Sequence, residues 1–410
     1  MTKGFPALLA GLLLTVPAGV APADDWPQFR GPNRDGKSAE TGLLKQWPEG
    51  GPKLLWSATG IGAGFTHVSV AGGLVYVTGM RERQGFLRAY TTDGKLKWEA
   101  PTGGEWWESH PGTRSIPTVR DGLVYLASGI GNVYCFDAAT GRQVWMVKLF
   151  ERYEAPQVKW GYAESPLIDG DKIFFTPCGK KGTMVALDRK TGEPVWASRD
   201  VGQTSSFCSP VLVEHKGVRM IVTLLDRSVI AFSPDDGSVL WQHAYRNFRG
   251  NHCVSPIYAD GILYVTSGYK KGAIGLRIAD DGRSVTQLWE QPKQDPVHGH
   301  AAVIDGYVYA ASHQSTQKWS CVELKTGKLM WEDACIGRSG SVIYADGMLY
   351  GYSEDGYVGL IRPTPERCEV VSRFKVPMGE GNHWAHPVVS GGRLYIRHGD
   401  ALMCYDVAAK

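Results

Sequence analysis

The sequence predicts an all-β protein: an eight-bladed β-propeller of four-stranded blades, closed by an N-terminal strand that completes the last blade. Three observations carry this. One aromatic column recurs at Trp56, Trp98, Trp145, Trp196, Trp241, Trp289 and Trp331, with Phe374 standing in next, at spacings of 42 to 51 residues. That interval holds four short strands and their turns, and it is too long for a leucine-rich or ankyrin unit. A turn column precedes an apolar, β-rich strand eight times, at Gly72-Gly73, Asp121-Gly122, Asp169-Gly170, Lys216-Gly217, Asp260-Gly261, Asp305-Gly306, Asp346-Gly347 and Gly391-Gly392. Asp-Gly and Gly-Gly supply the positive φ angles that tight hairpins need. The eighth unit stops at Lys410 after its third strand and has no Trp of its own, and Leu54-Leu55-Trp56 supplies the missing outer strand. That pairing leaves no open sheet edge at the ring's join.

Within a unit, a second turn column lies a few residues before each Trp, at Asp93-Gly94, Thr140-Gly141, Thr191-Gly192, Asp236-Gly237, Asp281-Gly282 and Thr326-Gly327. The third unit illustrates the pattern, with strands expected over 165–168, 172–176, 183–187 and 194–196. No segment keeps helical periodicity over three turns.

Outside the repeats, the N-terminus reads as a cleavable signal peptide over 1–23, with Lys3, an apolar run over 8–16 and Ala21-Pro22-Ala23 before the acidic pair. The run is short for a membrane span, and no Cys near the cleavage point offers a lipid anchor. Export to the periplasm or the exterior is expected. Residues 24–52 are expected to pack across one face of the disc, because Pro and Gly break regular structure there while Trp26 and Phe29 need burial. The propeller itself is expected over 53–410.

Lys+Arg 44 against Asp+Glu 41 gives a net charge of +3 without long basic tracts, which excludes a nucleic-acid surface. Of the 8 cysteines, Cys135, Cys321 and Cys404 fall at one strand position of different repeats and read as small buried hydrophobes. Cys208 and Cys253 begin the inner strands of neighbouring repeats and are the first candidates for a disulfide.

The runs Asp137-Ala138-Ala139-Thr140-Gly141-Arg142-Gln143-Val144-Trp145 and Glu323-Leu324-Lys325-Thr326-Gly327-Lys328-Leu329-Met330-Trp331 resemble the PQQ-like repeat, as does the matching stretch ending at Trp196. That repeat is shared by quinoprotein alcohol dehydrogenases and by the non-enzymatic outer-membrane assembly protein BamB, so the resemblance implies architecture rather than activity. It implies that the Gly makes the turn and the Trp docks against the next blade. The opening 25–36 is similar to the leader of secreted bacterial PQQ-like propellers. In the dehydrogenases an adjacent Cys-Cys pair covers the quinone, with a Glu/Asn/Asp calcium set and an Asp base. No two cysteines here are adjacent, which argues against the quinone cofactor.

Aligning the units on their first turn brings His67, Ile116, Ser165, Ser209, Ser255, His300, Ser341 and His386 to one inner-strand position around the axis. Two residues earlier stand Phe65, Arg114, Ala163, Phe207, Cys253, His298, Ser339 and Trp384. Units six, seven, eight and one are contiguous in a closed ring, so His298, His300, His386 and His67 are expected in one sector. His67, His300 and His386 are candidate ligands for a divalent transition metal, because neutral imidazoles from separate rigid strands suit such an ion. The alternative is that Ser and His at these positions hydrogen-bond the neighbouring blade. Arg114, Glu164, His252, His298, Arg338, His383, Trp384 and Trp107 are candidate ligand-binding residues at the mouth, beside the aromatic insertions 106–110 and 152–162.

The leading functional expectation is a monomeric binding or interaction scaffold that holds a polar small molecule, a glycan or a partner peptide at a His-rich axial site. A metal- or His-dependent lyase or oxidoreductase acting on a carbohydrate-like substrate is the enzymatic alternative. A quinoprotein dehydrogenase is the second.

Overall fold

The computed structural model describes residue 1 and residues 25–409, so the expected signal peptide lies outside the described residues but for its first residue. The described residues form eight sheets, seven of four strands and one of five, and all but the last blade run in sequence order from the axis outward. Blade one comprises Ser69–Ala71, Leu74–Arg81, Gln84–Thr91 and Leu96–Gly104, and the next six follow the same plan. No helix among the described residues is long and apolar enough to cross a membrane.

Blade eight is built from both ends of the propeller. Lys53–Ala58 forms its outer strand against Ala401–Asp406, with Leu54 opposite Tyr405 and Trp56 opposite Cys404. The edge that would stay unpaired is thereby filled, and the ring shuts without a template for strand addition. At the same seam, buried Arg397 donates to the carbonyls of Thr66, Thr78 and Gly62, tying blade eight to the chain entering blade one.

The repeat's Gly and Trp act as a pair across each seam. A Cβ on Gly141 would lie 2.5 Å from the Trp98 ring, and Gly94, Gly192, Gly237 and Gly327 close in the same way on Trp56, Trp145, Trp196 and Trp289. Each of these indoles also donates Nε1–H to a backbone carbonyl of the next blade, as Trp98 does to Ala138 at 3.1 Å and Trp289 to Leu324 at 2.8 Å. Side-chain burial and a satisfied donor together explain why the position takes Trp. Blade four departs from the rule: Gly282 faces Val218 and Met220, and the Trp241 Nε1 has no partner among the described residues. At the join, Gly51 packs on Phe374, the residue that replaces Trp in blade seven.

Residues 25–52 cross the end of the disc that carries the first hairpin turns. Trp26 exchanges backbone hydrogen bonds with Val70, Lys37–Ser38 pairs in parallel with the inner strand Gly340–Ala345, and Glu40 accepts from the backbone of Gly391 and Gly392. Arg30 and Arg34 turn inward and are buried. Arg30 donates to the Ala301 carbonyl, and Arg34 to the carbonyls of Ser165 at 3.0 Å and Pro166 at 2.8 Å.

Cysteine pairing differs from expectation. Cys208 and Cys253 are both free, Cys208 facing the Ser255 hydroxyl and Cys253 the Asn251 side chain. The disulfide joins Cys335 to Cys368, with Cα atoms 5.9 Å apart. These two flank the outer strands of blades six and seven, where neighbouring blades approach from their rims. Cys135, Cys321 and Cys404 are buried free thiols.

Candidate functional site

The inner-strand column converges on the axis as its register requires, and most of it is spent on joining blades. The Ser165 hydroxyl accepts from Ile116 N–H at 3.0 Å, the Ser209 hydroxyl from Ser165 N–H at 2.9 Å, and His300 Nε2 from Ser255 N–H at 2.9 Å. His300 therefore does in blade six what Ser165 and Ser209 do in blades three and four, and its proton is carried on Nδ1. His67 donates Nδ1–H to the Val68 carbonyl at 2.8 Å, and His386 donates Nε2–H to the His298 carbonyl at 3.1 Å.

The three rings cluster around a side chain from the leader. Phe29 lies 6.0 Å from His67, 5.2 Å from His300 and 6.0 Å from His386, centroid to centroid, while His67 and His386 stack at 5.5 Å and His300 meets His386 at 4.8 Å. Burial holds all three imidazoles neutral: His67 is lowered to about 4, and His300 and His386 lie well below the usual range, with the Arg30 charge adding to the effect. His67, His300 and His386 do not bring three ring nitrogens within one ion's reach. Among the described residues, the set of three metal-binding side chains whose ligand atoms all lie within 4.8 Å of one another is His298, His313 and Glu354.

Above Phe29, at the end of the disc opposite the leader's crossing, the axis opens into a cavity of about 380 Å3. Arg114, Arg249, Asn251, His110 and His298 supply its polar wall, and Phe65, Trp160, Phe207, Tyr269 and Trp384 its aromatic wall. Ring contacts brace that wall: Trp384 lies 3.7 Å from His298, 5.0 Å from Phe65 and 5.2 Å from His110. Arg114 is anchored on the carbonyls of Ser109, His110 and Gly112, and desolvation lowers it to about 10, which leaves it charged at neutral pH. The Arg249 guanidinium lies 5.4 Å over Tyr269 and 5.2 Å over Phe248. Among the described residues, no Asp or Glu lines the cavity.

Of the residues expected at this mouth, Arg114, His298 and Trp384 line the cavity, with His67, His300 and His386 at its floor. The other five lie elsewhere. Glu164 is buried beneath the wall, accepting from Thr176 N–H at 3.1 Å, and desolvation raises it to about 8. His252 is buried against Ser267, with Nδ1 2.8 Å from the hydroxyl. His383 bonds the Tyr352 hydroxyl at 2.6 Å and stacks on His398 at 3.7 Å. Arg338 pairs with Asp355 at 3.3 Å, and Trp107 lies under Arg83 on the surface. Arg249, Asn251 and Tyr269 were not expected at the mouth. They come from blade five's entry loop and its second hairpin, which an alignment on first turns does not bring into register. The same holds for His313 and Glu354, in the second hairpins of blades six and seven.

Fold and site together define a closed repeat propeller whose blades are joined by Gly–Trp docking and whose axis ends in a preformed pocket. The chain belongs to the PQQ-repeat family whose model, described as outer membrane protein assembly factor BamB, matches residues 99–331. BamB of Moranella endobia (strain PCIT) is 25% identical over 252 residues, 57% of this chain and 60% of that protein. The 1-butanol dehydrogenase (quinone) of Thauera butanivorans is 26% identical over 192 residues, 43% of this chain and 30% of the enzyme. The chain thus spans less than two thirds of either relative. Among solved structures, BamB from Moraxella catarrhalis superposes with a TM-score of 0.64 at 15% identity, covering 87% of this chain and 98% of that one. A europium-containing methanol dehydrogenase gives 0.69 at 12% identity, covering 93% and 91%. At these identities the likeness is one of fold.

The donor set that the resemblance requires for a quinone does not fit this pocket. A metal-held quinone needs carboxylate ligands, and the described residues of the wall include none. Cys253 is the one thiol in the lining, its pKa pushed up to about 12 by burial, and Phe29 occupies the floor.

Proposed function

We propose that this protein is an extracytoplasmic binding propeller whose axial pocket holds an anionic, ring-bearing ligand of the acidic-sugar class. The single observation that carries this reading is the composition of the pocket wall: two guanidiniums and an amide among aromatic faces, with no carboxylate among the described lining residues to repel a negative charge. Guanidinium forks pair with carboxylates, and exposed aromatic faces stack on sugar rings. A cavity of about 380 Å3 suits a small molecule or the end of a chain rather than a folded surface.

Export and a scaffold role draw support from different observations. The N-terminal composition reads as a signal peptide, and a disulfide between Cys335 and Cys368 suits an oxidising compartment. Relatives described as outer membrane protein assembly factors favour a role in the cell envelope.

The test is calorimetric titration with oligogalacturonate and with a neutral cello-oligosaccharide of equal length. Binding of the acidic sugar alone, weakened at least about tenfold in Arg249→Ala and weakened again by added salt, is the expected result. Equal binding of both sugars, or an unchanged affinity in Arg249→Ala, overturns the reading.

A further inference from the structure

We propose that His298, His313 and Glu354 form a binding site for one divalent transition-metal ion, with Zn2+ the best fit, at the seam of blades six and seven on the rim of the axial pocket. This goes beyond the anionic-ligand reading and does not rest on it.

The three side chains come from separate turns. His298 lies in the loop entering blade six, His313 in that blade's second hairpin after Tyr307–Ala311, and Glu354 in the hairpin after Met348–Ser353 of blade seven. Glu354 Oε1 is 3.2 Å from His298 Nδ1 and 3.4 Å from His313 Nδ1. Tetrahedral Zn2+ with bonds of about 2.0–2.1 Å separates its ligand atoms by about 3.3–3.4 Å, so the two oxygen–nitrogen distances already match edges of a zinc tetrahedron, and all three ligand atoms lie within 4.8 Å of one another. Two imidazoles and one carboxylate suit Zn2+ and its transition-metal neighbours, whereas Ca2+ and Mg2+ take oxygen ligands.

The set is held in place from behind. The His298 ring stacks on Trp384 at 3.7 Å with an 18° tilt. Asp295 accepts from the backbone N–H of His313 at 3.2 Å and from the Ser315 hydroxyl at 2.6 Å, which fixes the turn that carries His313. Glu354 N–H donates to the Arg338 carbonyl at 3.1 Å. Supports of this kind orient ligands before an ion arrives. The side chains are 24%, 25% and 13% exposed for His298, His313 and Glu354, so solvent reaches the cluster, while His313 Nδ1 itself is shielded and is uncovered by a small turn of its ring. Three protein ligands leave one tetrahedral position free, and because His298 also lines the axial cavity, that position is available to water or to a donor atom of a bound molecule.

The same geometry also describes a hydrogen-bonded His–Glu–His bridge between blades, and the experiment separates the two. The full chain, stripped with a chelator and dialysed, is titrated with Zn2+ by calorimetry and with Co2+ by visible absorption. One ion per chain is expected, with the intense ligand-field bands of tetrahedral Co2+ and a rise in Tm on adding Zn2+. His313→Ala and Glu354→Gln each weaken Zn2+ at least about tenfold and abolish the Tm rise. His383→Ala, whose ring lies in a different cluster, keeps wild-type uptake. Circular dichroism of the metal-free variants checks that they are folded. Failure of the wild type to take up Zn2+, or wild-type affinity in folded His313→Ala, overturns the proposal. Neither result bears on the sugar titration, which is read through Arg249 on metal-free protein.

Discussion

Phe29 stands edge-on to His300, ring centroids 5.2 Å apart with planes at 79°, so a residue from the leader closes the floor of a pocket built by the blades. The segment before the propeller is therefore part of its axial site. The buried Arg34 guanidinium of the same segment lies 5.4 Å from the centre of the Phe29 ring.

Phe29→Ala is expected to destabilise the protein by about 3 kcal/mol, the lower end for removing a buried aromatic. His67 and His386, now 2% and 7% exposed, then become reachable from the mouth. Chemical denaturation measures the first effect. Mass spectrometry after imidazole acylation measures the second, with both histidines modified in the variant and neither in the wild type.

Gly141→Ala tests the seam. The residue has φ +74°, and a Cβ there meets the Trp98 ring at 2.5 Å, so backbone strain and overpacking add. A loss of about 2–4 kcal/mol is expected. Gly306→Ala, at φ +80° with nothing near the added Cβ, carries only the backbone part, about 1 kcal/mol. Equal losses in the two variants would show that the indole yields freely.

Glu164 gives the protein a pH dependence of known sign. Desolvation raises its folded pKa to about 8, against contacts with Thr176, Tyr162 and Arg34 that lower it, so the folded state holds a proton that the unfolded chain releases near pH 4.5. Its contribution is complete below pH 4.5 and is lost as pH rises to about 8. Glu164→Gln keeps an acceptor for Thr176 N–H and removes the titration. Its stability relative to wild type is expected to improve between pH 5 and pH 9 by on the order of 4 kcal/mol, read from denaturation midpoints at the two pH values.

The Cys335–Cys368 disulfide closes a loop across 33 residues. Replacing both cysteines by Ala is expected to cost about 3–4 kcal/mol, and a reductant should lower the Tm of the wild type but not of the double variant. Peptide mapping under non-reducing conditions should find this bond, with the buried Cys208 alkylated only after unfolding.

How much of this was legible follows from what each feature depends on. Blade number, ring closure through Trp56 and the axial meeting of His67, His300 and His386 all follow from a period and a register, and the eight turns mark both along the chain. The pairing of Cys335 with Cys368, the entry of Phe29 and the junction of His298 with His313 and Glu354 depend instead on which loops face one another. No periodicity reports that. Glu164 shows the limit from the other side: next to the axial column in sequence, it points beneath the wall, since adjacent residues of an extended chain face opposite ways.

Sequence alone carries the architecture, because a strand's alternation and a turn's need for positive φ are local constraints repeated eight times, and only a closed ring satisfies all of them together. The chemistry at the mouth was decided by tertiary structure. Its side chains come from loops of unequal length between blades, and their meeting depends on distances across the disc rather than along the chain.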